Sequence, residues 1–184
     1  CNKERNNPSE VPGWNDLTGM RLDAQKVIEA RGREIQYVRD MKVWKKIPRR
    51  QAQARGMNVI KTRWIDINKG DSANPNYRSR LVAKEFNTGV KPELYAATPP
   101  SECLRIMLSL VASNRKRGTR LMYADVSRAY FYAPAVRPVY VKLPDEDKEP
   151  GDENRCGKLR MSMYGTRDAA LNWSLEYGET LRAA

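Results

Sequence analysis

The spacing of apolar residues predicts an amphipathic helix followed by a two-stranded hairpin. Between residues 22 and 42, apolar side chains recur on one face of a helix, and Asp23 is placed to cap its start. Residues 58–67 and 77–84 are rich in β-formers, and the Gly, Asn and Pro residues of 69–76 indicate the turn between them. The sequence therefore predicts an antiparallel hairpin with a long tip.

The second half of the chain continues with mixed helix and strand patterns. Residues 101–114 are apolar nearly all round, which predicts a buried helix with Ser101 as its N-cap. We predict strands at 119–126, 138–143 and 156–163, an acidic solvated loop at 144–154, and a final helix at 167–182. In the strand 138–143, Val139, Val141 and Leu143 share one face and Tyr140 lies on the other. Because no regular strand–helix–strand alternation is present, the order favours an α+β fold with a mainly antiparallel sheet.

The composition indicates a boundary near residue 16 and excludes several kinds of catalysis. Residues 1–16 are polar and rich in Pro and Asn, so we predict a linking segment before a domain at 17–184. The 184 residues contain no histidine, which excludes Ser-His-Asp and Cys-His catalysis. Three widely spaced cysteines do not suggest a disulfide framework or a thiolate zinc site, and they are typical of a reducing compartment.

The charge balance indicates a polyanionic partner. Thirty-four Lys and Arg residues against twenty-two Asp and Glu give a net charge of +12. Such a field favours nucleic acid or an anionic membrane surface, although a solvated basic surface without a ligand has the same composition. With no signal peptide and no run long enough to cross a bilayer, we expect an intracellular protein, cytoplasmic or nuclear and not secreted.

Asp125 is the strongest candidate for chemistry. It lies at the end of the short apolar run 119–126, before small residues and two aromatics. A carboxylate held at the end of a strand suits Mg²⁺, which takes one or two carboxylates together with substrate phosphates. An aspartate that merely caps a turn has the same local pattern.

Five blocks, in order, resemble reverse transcriptases of the Ty1/copia retrotransposon type. Asp-Val-Ser-Arg-Ala-Tyr-Phe at 125–131 is similar to motif A of these RNA-directed DNA polymerases. The remaining four blocks are RWIDINK at 63–69, YRSRLVAKEF at 77–86, PVYVKLP at 138–144 and SMYGTRDAALNW at 162–173. The resemblance covers about residues 20–182 and implies the fingers and part of the palm of a right-hand polymerase.

The resemblance also implies residue roles in a nucleotidyltransferase that uses Mg²⁺ or Mn²⁺. Asp125, with the Val126 carbonyl, would bind metal, and Tyr130 would crowd the sugar 2′ position. Arg80, assisted by Lys69, would contact the incoming deoxynucleoside triphosphate. Tyr164 and Gly165 would lie beside the nucleotide and the RNA or DNA primer–template. The simpler alternatives are core packing for Tyr130, a solvated hairpin face for Arg80 and Lys69, and a strand-to-helix turn for Tyr164 and Gly165.

Two departures from the family pattern limit the expected activity. Glu85 stands where the family usually has glycine, and the chain contains no Tyr-x-Asp-Asp motif, which supplies the other metal-binding carboxylates. We therefore expect a truncated domain that is inactive by itself in two-metal phosphoryl transfer. The alternatives are a non-catalytic, basic nucleic-acid-binding remnant of such an element and an α+β domain with no nucleic-acid role. The oligomeric state is left open by the sequence.

Overall fold

The computed structural model describes residues 13–86, 96, 99–114, 118 and 120–183. Helices and strands alternate irregularly along these ranges, as expected for an α+β protein. No helix within them is both long and apolar enough to cross a membrane. The α-helices are α1 (Ala24–Asp40), α2 (Arg49–Gln53), α3 (Ser101–Ser113) and α4 (Ala169–Ala183), and two 3-10 helices lie at Ala129–Tyr132 and Asp145–Asp147. The strands are β1 (Trp44–Pro48), β2 (Val59–Ile60), β3 (Thr62–Asn68), β4 (Tyr77–Ala83), β5 (Tyr140–Val141) and β6 (Arg155–Leu159).

The strands form two sheets in which antiparallel pairing dominates. The larger sheet has the order β1-β6-β5-β2, and its β2–β5 pair is parallel while the others are antiparallel. Strands β3 and β4 form a separate antiparallel pair, from Thr62 opposite Ala83 to Asn68 opposite Tyr77. The predicted α+β class and the predicted hairpin are therefore confirmed.

Strand β4 has one buried face and one face that carries arginines. Ser79, Leu81 and Ala83 are buried, whereas Arg78 and Arg80 alternate with them and are only half-buried. Because side chains alternate along a strand, the two arginines point to the opposite side from the core. The hairpin therefore presents guanidinium groups on one surface while its other surface is anchored.

Helix α1 anchors that inner surface. The Asp23 carboxylate accepts a hydrogen bond from the Lys26 amide at 3.0 Å, which confirms the predicted N-cap. Arg31 of the helix pairs with buried Asp66 of β3 at 2.6 Å, and Ser79 donates to the same carboxylate at 2.6 Å. The apolar core then joins α1, β4, β5, β6 and the 3-10 helix at Ala129–Tyr132 through Ile35, Val38, Leu81, Val141, Leu159 and Phe131.

Burial adds to the prediction made for strand 138–143. Tyr140 packs in a different cluster from Val139 and Val141, as the predicted alternation requires, but its face is buried as well, and only 1 % of its surface is exposed. The reason is that β5 is an inner strand, and both faces of its sheet are covered. Val141 packs in the main core, whereas Tyr140 packs with Ile47, Ala52 and Cys156 in a second cluster.

Four further points of the prediction are wrong, although helix α3 itself is present as predicted. Helix α3 has no buried residue among those described, and its N-cap position is held by Pro100, not Ser101. The described residues of 119–126 form no strand, so Asp125 does not end one. Asp147 lies in the acidic loop but is fully buried, because Arg39 pairs with it at 2.7 Å and the Trp44 indole donates to it at 3.1 Å.

The sequence prediction missed strand β1 and the contacts of residues 13–16. Strand β1 is short and ends in Pro48, which an edge strand tolerates because its outer amide needs no partner. Residues 13–16, which the prediction assigned to a linker, contact the hairpin: Asp16 accepts a hydrogen bond from the Asp66 amide at 2.8 Å. Residues 1–12 lie outside the described ranges, and the division at residue 16 stays a prediction.

Candidate nucleotide site

Arg80, Tyr164 and Tyr130 come together from three separate parts of the chain. The Arg80 guanidinium lies 5.5 Å from the centre of the Tyr164 ring, within the range of a cation–π contact. The Tyr164 and Tyr130 rings are 4.7 Å apart at a tilt of 43°. The three side chains are half-buried, so each has both a packed side and a solvent side.

Burial in this cluster favours the neutral form of the Tyr164 phenol beside the Arg80 guanidinium. Burial raises the pKa of Tyr164, and the nearby Arg80 opposes that shift without cancelling it. Tyr164 therefore keeps its proton at neutral pH, and its ring presents a negative π-face to the guanidinium. The planar guanidinium of Arg80 offers several N–H donors, which suit an oxyanion such as phosphate.

Gly165 lets the turn after Tyr164 lie directly on β4. Its φ is +80°, and a Cβ built at this position would lie 2.0 Å from the Ala83 carbonyl oxygen. Backbone hydrogen bonds close the contact: the Ala83 amide donates to the Tyr164 carbonyl at 2.8 Å, and the Glu85 amide donates to the Gly165 carbonyl at 3.3 Å. Only glycine fits both the left-handed conformation and this close approach.

Glu85 holds the same turn through two arginines. Its carboxylate pairs with Arg137 and with Arg167, the second at 3.1 Å, and it also accepts the Arg167 amide at 3.0 Å. Arg137 in turn pairs with buried Asp168 at 3.0 Å, just before α4 begins. Burial works to raise the pKa of Glu85, but the hydrogen bonds from Arg137 and Arg167 outweigh it and the pKa is lowered.

Sequence reasoning marked Glu85 only as a departure from the family pattern and did not identify Arg137 or Arg167 as its partners. The signal in the sequence was limited to one unexpected carboxylate after β4. Its partners lie 52 and 82 residues away along the chain, so no local spacing could reveal them.

Asp125 and Val126 are more exposed than the three residues of this cluster. Both residues are exposed, and within the described ranges the Asp125 carboxylate has no hydrogen-bond or ion-pair partner. A carboxylate oxygen is the right kind of ligand for Mg²⁺. The described residues nevertheless bring no group of three metal-binding side chains together. Asp125 therefore has the right chemistry for a metal ligand, but the described residues do not provide a full set of ligands around it.

Lys69 is exposed at the opposite end of the hairpin from the cluster. Its amide donates to the Asn76 carbonyl at 2.9 Å, beyond the last paired residues of β3 and β4. Arg80 is four residues further along than Asn76, which corresponds to about 13 Å of strand. The structure therefore does not bring Lys69 to Arg80.

Comparison with known proteins gives the family. Residues 42–183 match the family model described as reverse transcriptase (RNA-dependent DNA polymerase). The match covers most of the chain, which therefore belongs to the reverse transcriptases, and specifically to the copia type.

The curated relatives are Pol polyproteins of plant transposons. The chain is 25% identical over 134 residues to the retrovirus-related Pol polyprotein from transposon TNT 1-94 of Nicotiana tabacum, a match covering 70% of this chain and 10% of that protein. It is 27% identical over 127 residues to that from transposon RE1 of Arabidopsis thaliana, covering 65% and 8%. The chain thus spans about a tenth of the length of these relatives. No solved structure gives a significant match.

Proposed function

We propose that this reverse transcriptase domain supplies the nucleotide-binding half of a retrotransposon DNA polymerase, with Arg80, Tyr164 and Tyr130 as the nucleotide-binding group. The β3–β4 hairpin corresponds to the fingers, and the segment around Asp125 together with the larger sheet corresponds to the first part of the palm. The domain is taken to occupy residues 17–184.

The grouping of Arg80 with Tyr164 and Tyr130 is the observation that supports this proposal most strongly. The residues come from the fingers block, from motif A and from the Tyr-Gly block, which are far apart in sequence. A guanidinium backed by an aromatic ring is pre-oriented, so less side-chain entropy is lost when it binds a triphosphate. Tyr130, whose ring packs against Tyr164 at a tilt of 43°, would limit space at the sugar 2′ position and favour deoxynucleotides.

In the proposed reaction, a primer 3′-hydroxyl attacks the α-phosphate of a deoxynucleoside triphosphate, and pyrophosphate leaves. A divalent metal would supply charge stabilisation for this displacement when bound. Asp125 and the Val126 carbonyl would be its ligands from this chain. Further carboxylates, beyond those that the described residues bring to Asp125, would complete the set, so the chain expressed alone should not extend primers.

Lys69 has a different proposed role, because it is distant from Arg80 along the hairpin. It would meet the phosphate backbone of the template at the exposed hairpin tip. Such contacts are salt-dependent and nearly independent of sequence. Tyr164 and Gly165 would border the template base that pairs with the incoming nucleotide.

Primer extension by the Pol polyprotein that carries this domain tests the proposal. Asp125→Asn should lower extension by at least a hundredfold while primer–template affinity stays within about twofold. Asp40→Asn is the matched control, since Asp40 is exposed at the end of α1, and it should leave extension unchanged. Extension that survives Asp125→Asn would contradict the polymerase proposal.

The net charge of +12 favours one other candidate, a non-catalytic nucleic-acid binder. The same experiment separates the two functions. A polyprotein that binds primer–template but extends no primer, with or without Asp125, would support the binding function instead.

A further inference from the structure

Helix α1 lies outside residues 42–183, the range that matches the reverse transcriptase family, yet it contacts motif A directly. Two of its side chains, Glu34 and Tyr37, face the segment that carries Tyr130. Neither was expected from the sequence to take part in the site. Their contacts suggest that this additional helix orders the nucleotide-binding group.

Glu34 is the main contact. It is 1% exposed, and its Oε2 accepts a hydrogen bond from the Arg128 Nε at 2.7 Å. The other oxygen, Oε1, is buried and has no hydrogen-bond partner among the described residues. Arg128 is therefore the cation that compensates this buried carboxylate, which makes the pair sensitive to the loss of either member.

Arg128 is also the residue at which the backbone turns toward Tyr130. Its φ of +55° is left-handed, an uncommon conformation for a residue other than glycine. It precedes the 3-10 helix Ala129–Tyr132, whose first turn is closed by the Phe131 amide donating to the Arg128 carbonyl at 2.9 Å. The guanidinium stacks 4.3 Å from the centre of the Tyr37 ring. Glu34 and Tyr37 thus hold Arg128 from two sides.

A second contact fixes the far end of the same 3-10 helix. The Tyr37 and Tyr132 hydroxyls are 2.9 Å apart, so one donates to the other. Tyr130 lies between the two fixed points and meets Tyr164 at 4.7 Å. Because α1 also holds the hairpin through Arg31 and Asp66, one helix sets the position of both the Arg80 strand and the Tyr130 turn.

We infer that Glu34 is a positioning residue for nucleotide binding, acting through Arg128 to hold Tyr130 against Tyr164 and Arg80. This inference rests on the proposed function, since it assigns a cause to the geometry of the same group. It extends the functional unit to a helix beyond the family-matched range.

The test is titration of the full 184-residue chain with Mg²⁺·dTTP and, separately, with a primer–template duplex. Glu34→Gln should weaken Mg²⁺·dTTP binding by roughly tenfold to a hundredfold, since a misplacement of about 1 Å can cost up to about a hundredfold. Duplex affinity should change less than twofold. Glu29→Gln is the matched control, because Glu29 is exposed on the same helix, and it should leave both affinities unchanged.

Rescue distinguishes positioning from a loss of folding. Adding Arg128→Gln to Glu34→Gln replaces the ion pair with two amides that can bond to each other, and it should recover most of the lost Mg²⁺·dTTP affinity. Arg128→Gly alone retains the left-handed turn and should weaken binding as Glu34→Gln does. The inference about Glu34 would be overturned, without affecting the proposed function, if Glu34→Gln and Glu29→Gln had equal effects, or if Glu34→Gln weakened dTTP and duplex binding equally. Both the inference and the proposed function would be overturned if the wild-type chain did not bind Mg²⁺·dTTP.

Discussion

The hairpin region and the 101–126 region both carry strongly apolar patterns, but only the first is packed. Leu81 of β4 is fully buried, whereas every residue of α3 from Ser101 to Ser113 is at least partly exposed, with Leu108 at 46%. An apolar pattern therefore shows that a segment favours burial. It does not show that the described residues provide a surface against which the segment packs. The proposed nucleotide group forms where Tyr164 and Tyr130 pack beside Arg80 of the hairpin. The proposed metal ligand, Asp125, lies in the exposed region 101–126.

Gly165→Ala should produce the largest loss of stability, because it breaks the closest contact of the packed region. The added Cβ meets the Ala83 carbonyl at 2.0 Å and also carries the strain of a positive φ. We expect a loss of roughly 3 to 5 kcal/mol in the free energy of unfolding, measured in urea. Gly56→Ala is the matched control: its φ is +66° in open space, so its loss should be about 1 kcal/mol. Equal losses would mean that the turn does not rest on β4.

Leu81→Ala and Leu108→Ala compare the two regions with the same chemical change. Removing the buried Leu81 side chain should cost about 3 kcal/mol of unfolding free energy, through lost burial and a cavity. The half-exposed Leu108 should cost less than about 0.5 kcal/mol. A large effect of Leu108→Ala in the isolated chain would show that α3 is packed and would remove the contrast between the regions.

Glu85→Gln should cost about 2 kcal/mol at neutral pH, because it breaks charge-assisted hydrogen bonds to Arg137 and Arg167. The folded-state pKa of Glu85 lies below its ordinary value of 4.5, so this stability is present above pH 4.5 and is lost as pH falls through the folded-state pKa. Urea unfolding across the acid range should therefore show a smaller pH dependence in Glu85→Gln than in the wild type. Glu179→Gln, an exposed change on α4, should leave the dependence intact.

Tyr132→Phe should give the smallest effect, visible mainly in alkali. The hydrogen bond to Tyr132, aided by burial, raises the pKa of Tyr37 to about 12. The neutral Tyr37 thus contributes stability that is present below pH 10 and is lost as pH rises toward 12. Tyr132→Phe should return the Tyr37 pKa toward 10, as followed by tyrosinate absorbance. Tyr123→Phe, at an exposed position, should not move it.

Much of the fold could be predicted from the sequence where the hydrophobic periodicity and the interacting residues lie close together along the chain. The hairpin and α1 were predicted because alternation, a turn cluster and the Asp23 cap lie within a few residues of one another. The burial of Tyr140 and Asp147 could not be predicted, because it depends on a second covered sheet face and on partners about a hundred residues away. The helix predicted at 101–114 is present, but its predicted burial is wrong, and the strand predicted at 119–126 is absent among the described residues, because both depend on distant packing partners.

The candidate site divides in the same way. Motif resemblance named Arg80, Tyr130, Tyr164 and Gly165 without showing that they meet, and the fold supplies that contact. No role was predicted for Glu34, Arg128 or Arg137, because a charge pair between distant elements has no local pattern. The metal-binding roles of Asp125 and Val126 stay predictions.

The most direct test of the central claim is the affinity of the 184-residue chain for Mg²⁺·dTTP in Arg80→Gln and Arg78→Gln. Both arginines lie on the same face of β4, but only Arg80 is stacked on Tyr164 among the described contacts. We predict that Arg80→Gln weakens binding at least tenfold, as expected for the loss of a charged phosphate contact of about 1.5 to 3 kcal/mol, while Arg78→Gln changes it less than threefold. Equal losses in the two variants would contradict the account, because the surface would then act by net charge and not through the Arg80, Tyr164 and Tyr130 group.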